Sequence, residues 1–304
     1  MQLRRFYFLL MILLSSRAMA AIPALVDAVW LKSALESHNP ALVILDTQPA
    51  DAFKRAHIRG AVNTPYAQWR IRNANGIPGM LPPATQLSQL IGGLGITKNS
   101  QIVVVPAFGG AGQLASAARI FWTLKTAGID EVAILNGGMN LFRNDRSLPL
   151  ANGTQIPKKS SFQAQLRTDW LALESDVQTA IKQQTALVDA RSPGEYLGIY
   201  RGGPKDRPGT IPGAVNLPFD WLTRDGSTWF RSPKASRELF RQRGAADQGK
   251  VIFFCHTGHR AALAWFVDYA LLGNSQARLY DGSMAEWSQP GKTPVERKLS
   301  LTDE

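Results

Sequence analysis

The chain is written twice. The segments "LVILDTQPADAF" (42–53) and "HIRGAVNTPYAQW" (57–69) return as "ALVDARSPGEYL" (186–197) and "TIPGAVNLPFDW" (210–221). Likewise "QIVVVPAFGG" (101–110) returns as "KVIFFCHTGH" (250–259), and "VAILNGGMNLF" (132–142) as "ARLYDGSMAEW" (277–287), in the same order. A repeat of about 145 residues describes two domains of ordinary size, each able to bury its own core. The seam falls in "ANGTQIPKKSSF" (151–162), rich in Gly, Pro, Lys and Ser as a linker is. We therefore expect domains at 21–152 and 163–304, behind a leader at 1–20.

Within each half, short apolar runs alternate with longer helical patterns. Leu42 to Leu45, Ile102 to Val105, Val132 to Leu135, Leu187 to Asp189, Val251 to Phe254 and Ala277 to Tyr280 read as strands. Their hydrophobicity is continuous rather than alternating, so both faces are covered. That pattern predicts an α/β fold: two domains, each with a central, mostly parallel sheet flanked by helices. Helices are expected over Ala115 to Ala127 and Arg260 to Leu272, the second stopped by Gly273-Asn274.

Residues 1–20 read as a secretory leader: Arg4 and Arg5, an apolar core from Phe6 to Leu14, and an Ala-x-Ala pattern at Ala18 to Ala20. The core is far shorter than the roughly 20 residues that cross a bilayer. Export to a bacterial periplasm without a retained membrane anchor is the expectation. The formal net charge of +11 includes three leader arginines, so +8 remains on residues 21–304. This suits anionic ligands, but no Lys/Arg run is dense enough to suggest nucleic acid.

Cys255 is the only cysteine, and two of the four histidines lie within four residues of it in "FFCHTGHRAA". A lone cysteine cannot form an internal disulfide; it is a buried hydrophobe, half of an intermolecular bridge, or a reactive thiol. Its place decides. Cys255 ends a central strand just before a helix, where open parallel sheets bind ligands. A tight turn there, closed by Gly258, aims several backbone N–H groups into one concavity. Those amides and Arg260 would favour thiolate, the nucleophilic form. The polar "HTGHR" argues against an inert buried Cys. Cys255, His256 and His259 could instead ligate a metal, but so tight a loop converges three donors poorly and no fourth is signalled. Arg260, a cation at a helix start, implies an anionic partner.

The tandem layout, "LVDARSPGEYLG", "IPGAVNLPF", "CHTGHRAA" and "RLYDGSMAEW" together resemble the rhodanese sulfurtransferases, over essentially the whole chain after the leader. The resemblance implies that Cys255 attacks the outer sulfur of a small anionic donor such as thiosulfate and holds it as a persulfide. The sulfur then passes to cyanide, a thiol or a protein acceptor. No cofactor or metal is implied. The loop from Cys255 through His256, Thr257, Gly258 and His259 to Arg260 would wrap the sulfur with its N–H groups, with Asp189, Arg191 and Asp281 as framework.

Two positions depart from the pattern of familiar two-domain members: Thr257 and Glu195 stand where those carry cations. We expect His256, His259 and Arg260 to supply the missing charge, helped by Arg201, Lys205 and Arg207 of the insertion "YRGGPKDRPG" (200–209). In the first half Pro106 takes the place of Cys255 and "AFGGAG" offers no nucleophile, so that domain should be inactive. Two rivals remain. A Cys-x5-Arg phosphatase needs one more loop residue than this Cys-x4-Arg, and a sulfur carrier would use the same loop without fast turnover.

Overall fold

A computed structural model describes residues 21–143, 147–245, 248–291 and 293–300. The leader and its cleavage pattern lie outside the described residues.

The first half runs β1 (Leu25–Val26), α1 (Ala28–Glu36), β2 (Leu42–Asp46), α2 (Ala50–Arg55), β3 (His57–Ile58), β4 (Val62–Asn63), α3 (Ala84–Gly93), β5 (Gln101–Val105), α4 (Ala111–Thr126), β6 (Val132–Leu135) and β7 (Leu150–Ala151). The second runs β8 (Leu171–Ala172), α5 (Glu174–Gln183), β9 (Ala186–Asp189), α6 (Pro193–Leu197), β10 (Val215–Asn216), α7 (Pro233–Gln242), β11 (Val251–Phe254), α8 (His259–Phe266), β12 (Ala277–Tyr280) and α9 (Ser283–Trp287).

Two five-stranded parallel sheets result, ordered β1-β6-β5-β2-β4 and β8-β12-β11-β9-β10, the same order in each repeat. The expected α/β architecture is thus what the apolar runs build. β3 and β7 form a separate antiparallel pair. In register, Asp46 pairs with Val105 and Asp189 with Phe254, so Pro106 and Cys255 leave equivalent strand ends.

The helix expected from Arg260 to Leu272 is α-helical only to Phe266. A π-helical turn follows at Val267–Leu271, closed by Leu272 N–H on the Val267 carbonyl, before Gly273 at φ 83° ends it. Helix α4 starts at Ala111, four residues before the expected start.

The domains share one continuous apolar core. α4 is buried almost all round because it packs on α8, with Phe121 edge-on to Phe266 at 4.9 Å and tilted on Trp265 at 6.2 Å. The seam segment lies along the first domain: Gly153 N–H reaches the Lys54 carbonyl and Ser160 N–H the Gly92 carbonyl.

Covering segments cross between the halves in both directions. Gly226 and Thr228 of the second half accept the N–H groups of Ala111 and Gly137 in the first. The "GGAG" loop is therefore filled by its neighbour's turn. Conversely, the stretch around Gly79 to Leu81 lies over the Cys255 loop.

Candidate active site

Strand β11 delivers Cys255 at the carboxyl edge of the second sheet, and α8 begins four residues later. Gly258 sits at φ 69°, in the left-handed region, and a Cβ there would meet the Arg119 guanidinium and the Asp281 carbonyl.

Ser283 organises the loop. Its Oγ accepts the N–H groups of Cys255 and Gly258, both at 3.1 Å, and donates to the Tyr280 carbonyl at 2.8 Å. The side chain is fully buried, and the backbone is held at φ 49°. Met284 N–H closes onto the Cys255 carbonyl at 3.0 Å. Among the described residues, the N–H groups of His256, Thr257, His259 and Arg260 donate to no protein acceptor. Two loop amides are thus spent on the scaffold and four are free.

The thiol is not at an open mouth, as the sequence led us to expect. Cys255 is 1 % exposed, beneath the cover from the first domain. A Cβ on Gly79 would come within 2.9 Å of Thr257 Cβ.

The charges also differ from expectation. Arg260 does face an anion, but it belongs to the protein: Nη1 and Nη2 donate to Glu195 at 2.6 and 2.8 Å. Burial pushes the Glu195 carboxyl up, yet the Arg260 hydrogen bond and charge, with Ser192 and Arg191, outweigh it and hold the group at about 2. Glu195 also completes the capping box of α6 with Ser192. Against its own burial, Arg260 is held above its ordinary value by Glu195 and by the charge of Cys255.

The two histidines diverge. His259 turns to the first domain, with Nε2 3.0 Å from Ser116 Oγ and its ring 5.0 Å from that of Tyr66. Burial, then the charges of Arg70, Arg119 and Arg260, bring it down to about 4. His256 turns to the insertion, with Nε2 3.1 Å from Asp206 Oδ2. Burial lowers it too, although Asp206 pulls the other way. Both rings are therefore neutral near pH 7, and neither supplies the cation expected of it. Nor does Arg207, which is spent on the carbonyls of Ser288, Trp287 and Thr293. Arg201 and Lys205 remain exposed. Among the described residues, no three His, Cys, Asp or Glu side chains converge as metal ligands.

Asp189 and Arg191 form the frame beneath the loop. The guanidinium bonds both carboxylate oxygens at 2.6 to 3.1 Å and the Gly209 carbonyl at 2.7 Å, while Thr210 Oγ1 donates to Asp189. In the first half the equivalent pair is Asp46 and Gln48. Gln48 takes the place of the guanidinium, and burial, only partly offset by the Gln48 hydrogen bonds and by His57, lifts Asp46 to about 6.

Several site residues escaped the sequence reading. Arg119 of α4 forms a fully buried ion pair with Asp281, which also accepts the Leu81 N–H at 2.7 Å. Arg119, Ser116, Tyr66 and Gly79 all come from the half without a nucleophile, and only the fold brings them here. Asp206 was hidden in the insertion. Ser283 did leave a trace: it stands where the first repeat has Gly138, itself at φ 51°.

With this geometry in hand, comparison with known proteins is decisive. The sequence profile described as "Rhodanese-like domain" matches twice, at residues 27–145 and 173–290. The chain belongs to the rhodanese-like family. Similar proteins include the human 3-mercaptopyruvate sulfurtransferase, 30 % identical over 279 residues and covering 87 % of this chain and 91 % of its own. A Mycobacterium leprae protein, provisionally named a thiosulfate sulfurtransferase, is 30 % identical over 285 residues, covering 91 % of this chain and 99 % of its own. Among solved structures, SseA from Escherichia coli, described as a 3-mercaptopyruvate sulfotransferase, superposes with a TM-score of 0.74 at 27 % identity, covering 86 % of this chain and 99 % of its own. This chain is a rhodanese-like enzyme of the sulfurtransferase kind. No helix among its described residues is long and apolar enough to cross a membrane.

Proposed function

We propose that Cys255 carries sulfur as a persulfide between a small donor and a nucleophilic acceptor such as cyanide or a thiol. The thiolate attacks the donor's outer sulfur, and the donor's bond to that sulfur breaks with its electron pair leaving on the departing group. The acceptor then attacks the same sulfur and the pair returns to Sγ. The observation that carries this reading is the set of four free loop amides beside a lone cysteine. They match a single polarisable anion, which gains from N–H donors that need no reorganisation.

The donor is best sought among singly charged compounds such as 3-mercaptopyruvate. Thiosulfate is a dianion, and the Arg260 charge is already matched by Glu195. The phosphatase reading is weaker for the same reason, since a phosphoryl group needs that guanidinium. The sulfur-carrier rival differs in turnover alone. We also propose that residues 1–20 direct export to a periplasm; the recovered protein should then begin at Ala21.

Intact mass after mixing with each donor tests the proposal. One added sulfur atom is expected on the wild type and none on Cys255→Ser, with an unchanged circular dichroism spectrum. Sulfur loading by the Ser variant would refute the assignment. Repeated turnover with cyanide separates the enzyme from a carrier.

A further inference from the structure

A cavity of about 450 Å³ lies between the two halves, and Cys255 is not part of its wall. That volume is in the range of small-molecule sites, roughly 300 to 1,000 Å³. The first half contributes the turn that runs from Arg72 to Pro78. The second contributes residues 203–206 of the insertion, which has no counterpart in the first half, together with His256, Ala285 and Gln289.

The insertion brings a carboxylate to this cavity without a partner for it. Asp206 is 7 % exposed, and its Oδ2 accepts no hydrogen bond among the described residues. The neighbouring His256 ring is kept neutral near pH 7 by burial, so it supplies no balancing charge. Bare backbone flanks the oxygen: a Cβ on Gly202 would lie 3.2 Å from Oδ2, and one on Gly203 3.3 Å. A buried carboxylate oxygen without a donor is costly, and a ligand donor removes that cost. The terminal torsion of an aspartate is soft, so a modest rotation turns Oδ2 toward the cavity that the side chain already lines.

Two cations line the same cavity, Arg72 from the first half and Lys205 from the insertion, and both are exposed. Arg72 Nη1 donates to the Gly76 carbonyl, which steadies the guanidinium and leaves Nε and Nη2 open. Ile77, Pro78 and Pro204 add apolar surface. A simple anion would leave Asp206 unpaired, and a simple amine would leave both cations unpaired.

We propose that this cavity binds a free α-amino acid with an aliphatic side chain. Its ammonium group meets Asp206, its carboxylate meets Arg72 and Lys205, and its side chain lies against Ile77, Pro78 and Pro204. The bound molecule joins a cation of the first half to a carboxylate of the second. It also abuts Ala285, whose N–H holds the His256 carbonyl at 2.9 Å, so it ties the halves together beside the Cys255 loop.

Isothermal titration and thermal unfolding of the whole chain test this, with L-leucine as the probe. L-Leucine should bind and raise the unfolding temperature. N-acetyl-L-leucine lacks the ammonium and L-leucinamide lacks the carboxylate; each should bind at least about ten-fold more weakly. Asp206→Asn should weaken L-leucine by a similar factor and leave N-acetyl-L-leucine unchanged. The pair Arg72→Gln and Lys205→Gln should weaken L-leucine and leave L-leucinamide unchanged. No binding of L-leucine, equal affinity for it and both analogues, or unchanged affinity in both sets of variants would each overturn the proposal. Cys255→Ser should bind L-leucine as the wild type does, so failure of this site and failure of the persulfide reading are separate results.

Discussion

Glu195 holds Arg260 through two parallel hydrogen bonds, so the cation at the head of α8 is neutralised within the protein. A guanidinium at a helix start opposes the helix dipole, and the bidentate carboxylate offsets that cost. The loop can therefore keep an arginine without becoming a strong anion trap.

Glu195→Gln should uncover that charge. The expected outcome is a lower KM for thiosulfate than the wild type shows, together with a stability loss of about 2 kcal/mol, moderated by the partial exposure of Arg260. Because the folded Glu195 lies at about 2 against an ordinary 4.5, the pair's contribution is complete above about pH 4.5 and is lost as pH falls toward 2. Steady-state kinetics and urea melts at pH 7 and pH 3 check both parts. An unchanged KM would show that the charge never reaches the donor.

Ser283 separates conformation from hydrogen bonding. Ser283→Ala keeps the strained φ and orphans two buried N–H groups, at a cost of about 1 to 3 kcal/mol. Ser283→Gly orphans the same groups but relieves the backbone. Glycine should therefore unfold later than alanine, while both lose most sulfur transfer because the Cys255 loop is unsupported. Full activity in either variant would mean the loop holds itself.

Arg119→Met should disable a site in the other domain. It leaves the Asp281 carboxylate buried without its cation, which costs about 3 to 5 kcal/mol. Asp281 also bonds Leu81, so the cover over Thr257 loosens and transfer falls. The double variant Arg119→Met with Asp281→Asn should recover part of the lost stability, a non-additivity that thermal unfolding measures.

Asp46→Asn should act through pH. The folded carboxyl lies at about 6 and the unfolded one near 3.8, so the folded chain keeps a proton that the unfolded chain releases. Wild-type stability contributed by this group is full below about pH 4 and falls as pH rises through 6, by about 3 kcal/mol. Asparagine lacks this dependence. The stability difference should move in favour of the variant between pH 4 and pH 7; a constant difference would mean that Asp46 ionises freely.

Much of the fold was legible because continuous apolar runs such as Val251–Phe254 and Val132–Leu135 leave a buried parallel strand as their natural reading. The loop was legible because Cys255 and its polar neighbours are contiguous. What the sequence hid was non-local. Nothing in "AARIFW" marks Arg119 as the partner of a residue 162 positions away, and nothing marks Asp206 as the carboxylate beside His256. The charge of Arg260 was misjudged because Glu195, read as a lost donor-binding cation, is its counter-ion. The π-helical turn after Phe266 was equally invisible, since its apolar spacing continues the helix pattern.

The crossing covers give the duplication a consequence of its own. Each half's strand-end loop is roofed by a segment from the other, Gly226 over Ala111 in one direction and Gly79 over Thr257 in the other. Two identical single domains related by a twofold axis would exchange roofs in the same way and own two equal pockets. Joined in one chain, the roofs can specialise separately, and the half with Pro106 at its strand end shapes the cysteine loop next door.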